Sequence, residues 1–336
     1  MSSPKISVVV PVYNAERYLA ECLESLVGQS LKEIEFIIVN DGSEDNSLEI
    51  VQQYAKKDKR FVVINKTNSG YGDSMNQGIA KARGEYVGIV EPDDFCQKKM
   101  FEILHELAKK EDADIARGSY FYHTEDGDEV RESIFAQEHK TVFEPIDDYK
   151  IFWEPPAIWS AIYRREFLKK NKIGFLPTPG ASYQDAGFYL KTLACAKRIA
   201  FVDKPLYYYR VDNPNSSVKG AKKVFAVAEE YKSVEGFVSR LPGKEKLLKY
   251  CQVAKFGNYH WNLLRLSKAD ALKFIAFMKK DFMKEQRQRN LEREFFPKRY
   301  WASLSFLLRV SPRVFWAFFE MRNITKHLKG VIIKKN

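Results

Sequence analysis

Cysteine is scarce in this chain, and its placement excludes the folds that depend on it. The four cysteines, Cys22, Cys96, Cys195 and Cys251, are scattered without CxxC spacing. We therefore expect neither a disulfide framework nor a zinc site, and we interpret these residues as reduced core thiols. The five histidines are equally dispersed, so none supports a catalytic assignment.

Long hydrophobic runs are missing near both ends of the chain. The first residues, Met1 to Lys5, lead straight into a strand pattern without an apolar signal region, so we expect a cytoplasmic protein. Near the C-terminus, Arg309 and Arg313 interrupt the aromatic segments, and no apolar run there approaches the ~20 residues that a bilayer span needs. Internal repeats and low-complexity tracts are absent from the sequence as well.

The chain does have enough apolar residues for a core, and it has an excess of positive charge. With 336 residues, of which 45% are hydrophobic and 14% aromatic, it predicts one large or two moderate folded domains and not disorder. The net charge of +11 is uneven, since residues 291–336 hold ten Lys or Arg against three Glu, a local charge of +7. Such a basic end fits nucleic acid, an anionic membrane surface or simple solubility.

Strand-like and helix-like segments alternate through the first half of the chain. The strand patterns are apolar on both faces and lie at 6–13, 34–39, 61–64 and 86–90. Helical patterns lie between them, at 16–27, 46–57 and 73–82. This order predicts an α/β fold with a mostly parallel sheet covered by helices on both sides. In such a sheet a ligand binds beyond the carboxyl ends of the strands.

Three carboxylates stand together where the strand at 86–90 ends. Glu91, Asp93 and Asp94 would repel one another there unless a cation compensated their charge. Carboxylate oxygens suit Mg²⁺ or Mn²⁺, and Mg²⁺ usually shares its ligand shell with substrate phosphates. The pattern predicts a metal-bridged diphosphate site, and a solvated acidic turn that caps the next helix is the alternative. Polar clusters at the ends of the other predicted strands favour the site.

Eight short motifs follow one another at compatible spacing along the first two thirds of the chain. They are Val8-Val-Val-Pro-Val-Tyr-Asn14, Val39-Asn-Asp-Gly-Ser43, Asn68-x-Gly70, Asn76-x-Gly78, Ala82-Arg-Gly-Glu-Tyr86, Glu91-Pro-Asp-Asp94, Gln184-Asp185 and Tyr209-Arg210. In this order they resemble the inverting family-2 glycosyltransferases, more narrowly those of bacterial capsule or exopolysaccharide synthesis. The resemblance covers about residues 5–217. It implies a GT-A fold, Rossmann-like, in a catalytic domain at residues 1–218, followed by an α-helical region at 219–336.

The resemblance also implies a reaction. An acceptor hydroxyl would displace UDP from a UDP-sugar in one in-line step, which inverts the anomeric centre. A divalent cation (Mn²⁺ or Mg²⁺) and an arginine would neutralise the leaving diphosphate, and a carboxylate on the opposite face would take the hydroxyl proton. The acceptor would be a glycan or a lipid-linked molecule in the synthesis of a bacterial surface polysaccharide. The donor sugar, the linkage and the oligomeric state stay open.

Motif position implies a role for each candidate residue. Asp185 would be the general base, Asp93 the metal ligand, and Arg210 the cation that faces the leaving diphosphate. Asp41 would accept a hydrogen bond from the uracil N3–H. The other nucleotide contacts would come from Pro11, Val12, Tyr13, Asn68, Gly70, Asp73, Asn76 and Glu91. Candidates for acceptor contact are Trp153, Trp159 and Asp94. The alternatives are a turn former at Asp41, a helix cap at Asp185 and core packing for the two tryptophans.

Three positions depart from the family pattern. Glu91 stands where Asp is usual, Met75 where many relatives have Arg, and Asp212 where many have a metal-binding His. We expect Glu91 to act on the ribose or behind the metal. Lys81 or Arg83 is the candidate for the missing cation, and Asp212 is the candidate to replace the His.

The basic end of the chain combines aromatic, leucine and Lys/Arg residues between Phe295 and Phe319. This composition suits a helix that lies on an anionic membrane surface, which would make the protein peripheral at the inner face of the cell membrane. The alternative is that these aromatics pack onto the catalytic domain or onto a partner subunit in a homo-oligomer.

Two other functions compete with sugar transfer. A nucleotide-binding oxidoreductase is disfavoured, because Pro11 to Asn14 stands after the first strand where a GxGxxG motif is expected. A non-catalytic protein that binds nucleic acid through the basic tail is disfavoured too, because the acidic clusters would repel phosphates unless a metal intervened. We therefore expect no nucleic-acid partner.

Overall fold

The computed structural model describes residues 3–137, 141–214 and 223–333, with side chains followed as far as residue 322 near the C-terminus. The chain separates into two compact units, Met1–Val218 and Lys219–Asn336. The first unit contains the sheet, and the second is helical.

The first unit is an α/β structure built around one sheet. Its strands are β1 (Ile6–Val12), β2 (Ile34–Asp41), β3 (Phe61–Lys66), β4 (Tyr86–Ile89), β5 (Phe95–Cys96), β6 (Ile115–Thr124), β7 (Gly127–Arg131), β8 (Val142–Phe143), β9 (Ala161–Arg164) and β10 (Ile199–Arg210). Its helices are α1 (Glu16–Val27), α2 (Ser47–Lys57), α3 (Tyr71–Lys81), α4 (Met100–Lys110), α5 (Ile134–Gln137), α6 (Arg165–Lys170) and α7 (Gln184–Cys195). The strands and helices expected up to residue 90 are all present, and their ends agree to within two residues.

The strands of the sheet are ordered β3-β2-β1-β4-β9-β6-β10-β5. Within the first four, every pairing is parallel. Every residue of β1, β2 and β4 is buried, because helices cover both faces of this half of the sheet. The parallel sheet predicted from the apolar strand patterns is therefore confirmed for this half.

The second half of the sheet is mixed. Strand β9 runs antiparallel to both β4 and β6, whereas β10 is parallel to β6. Strands β6 and β7 form a hairpin in which Thr124 pairs with Gly127. The sheet as a whole is thus less parallel than expected, because β5, β7, β8 and β9 all join it in the antiparallel sense.

The register of the parallel strands brings their carboxyl ends to one edge. Val12 pairs with Asn40, and Asp41 pairs with Lys66 on the next strand. On the other side of β1, Val9 pairs with Ile89, so the segment after β4 emerges at the same edge. The segments that follow β1, β2, β3 and β4 therefore meet there.

The second unit consists of helices α8 (Ala226–Val238), α9 (Lys244–Leu263), α10 (Lys268–Arg287), α11 (Lys298–Arg309) and α12 (Pro312–Ile333). Its core includes one lysine, Lys255, which is 1% exposed and forms ion pairs with Glu235, Asp281 and Glu285. Across the described ranges, no helix is long and apolar enough to cross a membrane.

Candidate active site

Asp41, the last residue of β2, organises the loop that precedes α3. Its two carboxylate oxygens accept hydrogen bonds from the backbone N–H groups of Ser69 (2.8 Å) and Gly70 (2.9 Å). Gly70 has φ +99°, and a Cβ there would lie 2.6 Å from the carbonyl oxygen of Thr178, so only glycine fits. The side chain of Asp41 is buried, and it holds the loop against the strand ends.

A cation joins this loop from β3. The Lys66 ammonium contacts the Asp41 carboxylate and the Ser69 hydroxyl, and it lies 3.3 Å from the carboxylate of Asp73. Asp73 also accepts hydrogen bonds from Ser69 (2.5 Å) and Gln77 (2.8 Å), and the first of these is the main reason that its pKa is lowered. A cation therefore lies beside this loop, between two carboxylates, and the sequence motifs did not predict it.

The segment after β1 lies beside this loop. Pro11 and Val12 are buried at the end of the strand, whereas the ring of Tyr13 is 49% exposed. Asn14 has φ +49°, and its side-chain oxygen accepts a hydrogen bond from the N–H of Glu44 (2.8 Å). An exposed aromatic ring at a strand end provides a flat apolar surface of the kind on which a base can stack.

The first turn of α3 joins this loop to the segment that leads to Asp185. The N–H of Tyr71 donates to the carbonyl of Gly180 (3.2 Å), and a Cβ on Gly72 would lie 2.1 Å from the carbonyl oxygen of Leu176. Asn76 uses both ends of its amide on the backbone of Phe175, at 2.9 Å each. The pyrophosphate contact expected of Asn76 stays a prediction, and it competes with these two hydrogen bonds.

Glu91 is tied to α3 through a tyrosine. The Tyr71 hydroxyl donates to its carboxylate at 2.7 Å, and its backbone N–H donates to the hydroxyl of Tyr207 (3.0 Å). Burial, with a smaller contribution from the negative charges of Asp93 and Asp185, raises the pKa of Glu91 to about 8. The charge of Asp185, 94 positions later in the chain, therefore acts on the acidic motif, in agreement with the hydrogen bond from the Tyr71 N–H to Gly180 in the segment before α7.

Asp94 is the buried member of the acidic motif. It is 1% exposed and accepts hydrogen bonds from the Tyr207 hydroxyl (2.9 Å) and from the backbone N–H of Arg210 (2.8 Å). Burial, together with the charge of Asp93, holds its pKa well above the ordinary value. Both oxygens are bonded inside the protein, so the acceptor contact expected of Asp94 has no support in this geometry.

Asp93 is half-buried, like Glu91. One carboxylate oxygen accepts a hydrogen bond from the Asn213 amide at 2.7 Å, and its carbonyl accepts one from the Arg210 guanidinium at 3.0 Å. Among the described residues, no three His, Cys, Asp or Glu side chains form a ready-made cation cage. A single carboxylate amid uncompensated acids fits Mg²⁺ or Mn²⁺ held jointly by the protein and a diphosphate, because Mg²⁺ usually takes one or two carboxylates plus phosphates and water.

Asp185 lies in the first turn of α7. Its carboxylate accepts a hydrogen bond from the N–H of Ala186 (2.8 Å), and Tyr183, the residue before the helix, has φ +63°. The side chain is half-buried. Its charge also raises the pKa of the Tyr71 hydroxyl, after burial and the nearby Glu91. The helix N-terminus favours the ionised carboxylate, as a general base requires.

Comparison with known proteins decides the family. Residues 7–172 match the model of glycosyl transferase family 2. Glycosyltransferase GlyG of Streptococcus pneumoniae is 33% identical over 216 residues, which cover 62% of this chain and 71% of GlyG. The glycosyltransferase EpsJ of Bacillus subtilis is 34% identical over 220 residues, which cover 63% of this chain and 62% of EpsJ, so the match spans less than two thirds of that relative. The chain belongs to the family-2 glycosyltransferases.

Solved structures show the same fold for this glycosyltransferase. S. aureus TarS 1-349 in complex with UDP-GlcNAc has a TM-score of 0.72 at 24% identity, over 90% of this chain and 87% of that one. S. aureus TarS 1-349 in complex with UDP has a TM-score of 0.63 at 27% identity, over 81% and 78% of the two chains. The GT-A fold expected from the sequence motifs is therefore confirmed.

The guanidinium of Arg210 lies at the acidic edge of the glycosyltransferase site. It pairs with Glu21, stacks 4.5 Å from the centre of the Tyr18 ring, and is 7% exposed. Two residues later, Asp212 accepts a hydrogen bond from the N–H of Glu125 (2.9 Å), and its other oxygen is buried without a hydrogen-bond partner among the described residues.

The cation expected to compensate for Met75 is a different one. Arg83 pairs with Glu35 (2.6 Å), and its N–H donates to Ser7, at the edge of the sheet opposite the site. The expectation for Arg83 is therefore wrong, because α3 runs away from the carboxyl edge towards that end. Lys66 is the cation that lies beside the loop before α3 instead, and its position two residues after the strand predicted at 61–64 was the signal available in the sequence.

The two tryptophans considered for acceptor contact are placed differently. Trp159 is 8% exposed, and its ring stacks on Tyr207 (4.4 Å) and Tyr209 (5.1 Å). Trp153 is half-buried, with its ring edge-on to Tyr149 at 5.6 Å. Trp159 therefore belongs mainly to the aromatic packing beside β10, and an acceptor could reach only its small exposed part.

Proposed function

We propose that this enzyme transfers a sugar from a UDP-sugar to a hydroxyl of a glycan or lipid-linked acceptor, with inversion, in the synthesis of a bacterial surface polysaccharide. The observation that carries the proposal is the convergence of Asp41, Asp93 and Asp185 at the carboxyl edge of one sheet. Residues 1–218 would hold the catalytic site, and 219–336 would form the accessory helical region.

The nucleotide would bind over the ends of β1, β2 and β3. TarS, similar over most of both chains, has been solved with UDP, which supports a uridine nucleotide as the ligand here. The exposed Tyr13 ring offers a stacking surface for the base, and Asp41 retains acceptor capacity beyond its two backbone bonds, because a carboxylate has about four lone-pair sites. The Lys66 ammonium adds a positive charge beside the ribose and phosphates.

The diphosphate would lie over the acidic motif. Asp93 would hold the divalent cation, and Asn213 keeps that carboxylate in place through its hydrogen bond. When bound, the cation supplies charge neutralisation for the leaving diphosphate. Arg210 adds a second positive charge at the same edge, held by Glu21 and by the carbonyl of Asp93.

The acceptor hydroxyl would approach from the side of α7. Asp185 would take its proton as the hydroxyl oxygen forms the new bond to the anomeric carbon and the bond to the UDP oxygen breaks. The hydrogen bond between Tyr71 and Glu91 ties the start of α3 to the acidic motif, and the charge of Asp185 acts on both groups, so this bond would help to fix the separation of donor and base.

The competing functions have less support. Nothing in the geometry provides the glycine turn that a dinucleotide cofactor needs after β1, where Pro11 and Val12 are buried. Nucleic acid would meet the acidic motif at this edge, and without a metal the half-buried Asp93 would repel its phosphates.

A donor screen that measures UDP release tests the proposal. Asp93→Ala should lose turnover and also weaken UDP binding in the presence of Mn²⁺. Asp185→Asn should keep UDP binding and lose turnover by about 10²- to 10⁴-fold, the usual contribution of a general base. Asp270→Asn, in the first turn of α10, removes an equivalent charge in the other unit and should change neither property. Full turnover in Asp185→Asn, or UDP binding in Asp93→Ala that Mn²⁺ strengthens as in the wild type, would refute the assignment.

A further inference from the structure

Helix α12 presents apolar side chains to solvent along one face. Val314, Phe318 and Met321 are 51%, 40% and 61% exposed, and Ala317 is exposed between them. Their spacing of three and four residues places all four on the same side of the helix. We call these four residues the apolar face of α12.

The helix is already anchored by its opposite side. Phe315 is fully buried and Phe319 is 6% exposed, and the Phe319 ring lies 4.8 Å from that of His260 on α9. Because α12 buries Phe315 and Phe319 on a separate side, its apolar face is not the side that packs into the core of the unit. On the apolar face the Phe318 ring packs 5.0 Å from that of Phe306 on α11, yet Phe318 still exposes 40% of its surface, so this face can take a further apolar partner.

The end of α9 adds to the exposed apolar surface of this unit. Trp261 and Leu264 are 48% and 53% exposed, and they follow the His260 that packs on α12. Tryptophan is enriched where protein meets the lipid headgroup layer, because its ring is apolar and its N–H can still bond to water or headgroups.

Charge identifies the partner. Glu320 is the last acidic residue of the chain, and residues 321–336 contain five Lys or Arg and no Asp or Glu. Arg313, exposed next to Val314, adds a cation at the start of the helix. Each Lys or Arg near an anionic leaflet contributes about 1 kcal/mol, whereas a second copy of the chain would bring like charges together.

We propose that the apolar face of α12 binds the surface of an anionic phospholipid bilayer, with Arg313 and Arg322, next to Val314 and Met321, contacting lipid phosphates. The proposal rests on the proposed function in one respect: membrane binding would bring the enzyme to a lipid-linked acceptor. Binding itself needs neither donor nor catalysis, so the two can fail separately.

Vesicle co-sedimentation of the full chain tests the proposal. Vesicles of phosphatidylcholine with about one third phosphatidylglycerol should bind the protein, and vesicles of phosphatidylcholine alone should bind it at least about tenfold less. Raising the salt to about 1 M, where the Debye length is ~3 Å, should release it. Phe318→Ser with Met321→Ser should weaken binding by at least about fivefold, because the inserted apolar area is lost.

Matched controls separate the face from general surface effects. Val314→Ser should weaken vesicle binding, whereas Val130→Ser, a similarly exposed valine on β7 (48%), should leave it unchanged. Arg313→Gln should weaken it, whereas Lys59→Gln, an exposed cation in the first unit, should not. All variants should keep the UDP-induced thermal shift of the wild type, which reports on the donor site alone. The single variants should also keep its melting temperature, whereas the double variant loses the contact between Phe318 and Phe306 and should melt somewhat lower.

Three results would overturn the proposal. One is equal binding to neutral and anionic vesicles, or none to either. Another is a dimer, measured by light scattering, that the double variant dissociates, since the face would then belong to a second copy of this chain. The third is tighter binding to double-stranded DNA than to vesicles that Phe318→Ser does not alter.

Discussion

The hydrogen bond between Tyr71 and Glu91 makes a sharp prediction about how the donor site is held. Tyr71→Phe removes one hydroxyl and keeps the ring, which packs edge-on against Phe175 at 5.7 Å. The Glu91 carboxyl would lose the donor that now lies 2.7 Å from its oxygen. A partly buried acceptor that loses its partner costs about 1–3 kcal/mol.

Part of that cost should appear as weaker donor binding. The first turn of α3 is fixed to Asp41 through Gly70 and to Gly180 through the Tyr71 N–H, and the hydroxyl adds the link to the acidic motif. Without it, the nucleotide loop and Asp93 can move relative to each other. We expect KM for the UDP-sugar to rise by roughly five- to tenfold, equivalent to about 1 kcal/mol, while kcat falls by less than about threefold.

The chain offers a matched control for this variant. Tyr54 on α2 donates an equivalent hydrogen bond to Glu24 on α1 at 2.6 Å, and neither residue has a role in the proposed site. Tyr54→Phe should lower the melting temperature by a few degrees, at about 2–4 °C per kcal/mol for a unit of this size, without changing KM. Steady-state kinetics and thermal unfolding of both variants decide the matter. If Tyr71→Phe changes KM no more than Tyr54→Phe does, the hydrogen bond between Tyr71 and Glu91 contributes to stability but not to donor binding, and the reasoning is refuted.

Two further predictions concern close packing and buried charge. Gly72→Ala should reduce stability by at least about 2 kcal/mol and lower UDP binding, because its Cβ would lie 2.1 Å from the Leu176 carbonyl oxygen, and chemical denaturation with UDP titration measures both. Lys255→Met should lose about 3–5 kcal/mol by leaving Glu235, Asp281 and Glu285 without their cation, while kcat per folded molecule stays the same.

The sequence predicted the parallel half of the sheet well for a physical reason. Strands buried on both faces are continuously apolar, and the helices that cover them have one apolar stripe, so both patterns are visible in short windows. The mixed half was harder, because β9 enters between β4 and β6 from a distant part of the chain. Strand pairing over such a separation leaves no local pattern.

The same distinction applies to the candidate site. Asp41 ends β2 and Asp93 stands four residues after β4, so their shared edge follows from the parallel sheet. Asp185 does not, because its place depends on how the segment 174–182 packs on α3, and only the family resemblance pointed to it. No sequence pattern marks Asn213 as a site residue. It lies three residues beyond the end of β10, and its side-chain amide donates a hydrogen bond to Asp93.

The packing of α3 beside the acidic motif explains why the motif begins with a glutamate. Where the family pattern implies Asp, this chain has Glu91, and its extra methylene carries the carboxyl to the Tyr71 hydroxyl. An aspartate on the same backbone would end about 1.5 Å short of that hydroxyl, roughly one carbon–carbon bond, and the hydrogen bond would be lost. The departure at position 91 is therefore paired with the tyrosine that begins α3. The two residues together tie the acidic motif to the nucleotide loop, and they leave Asp93 as the carboxylate free to face a cation.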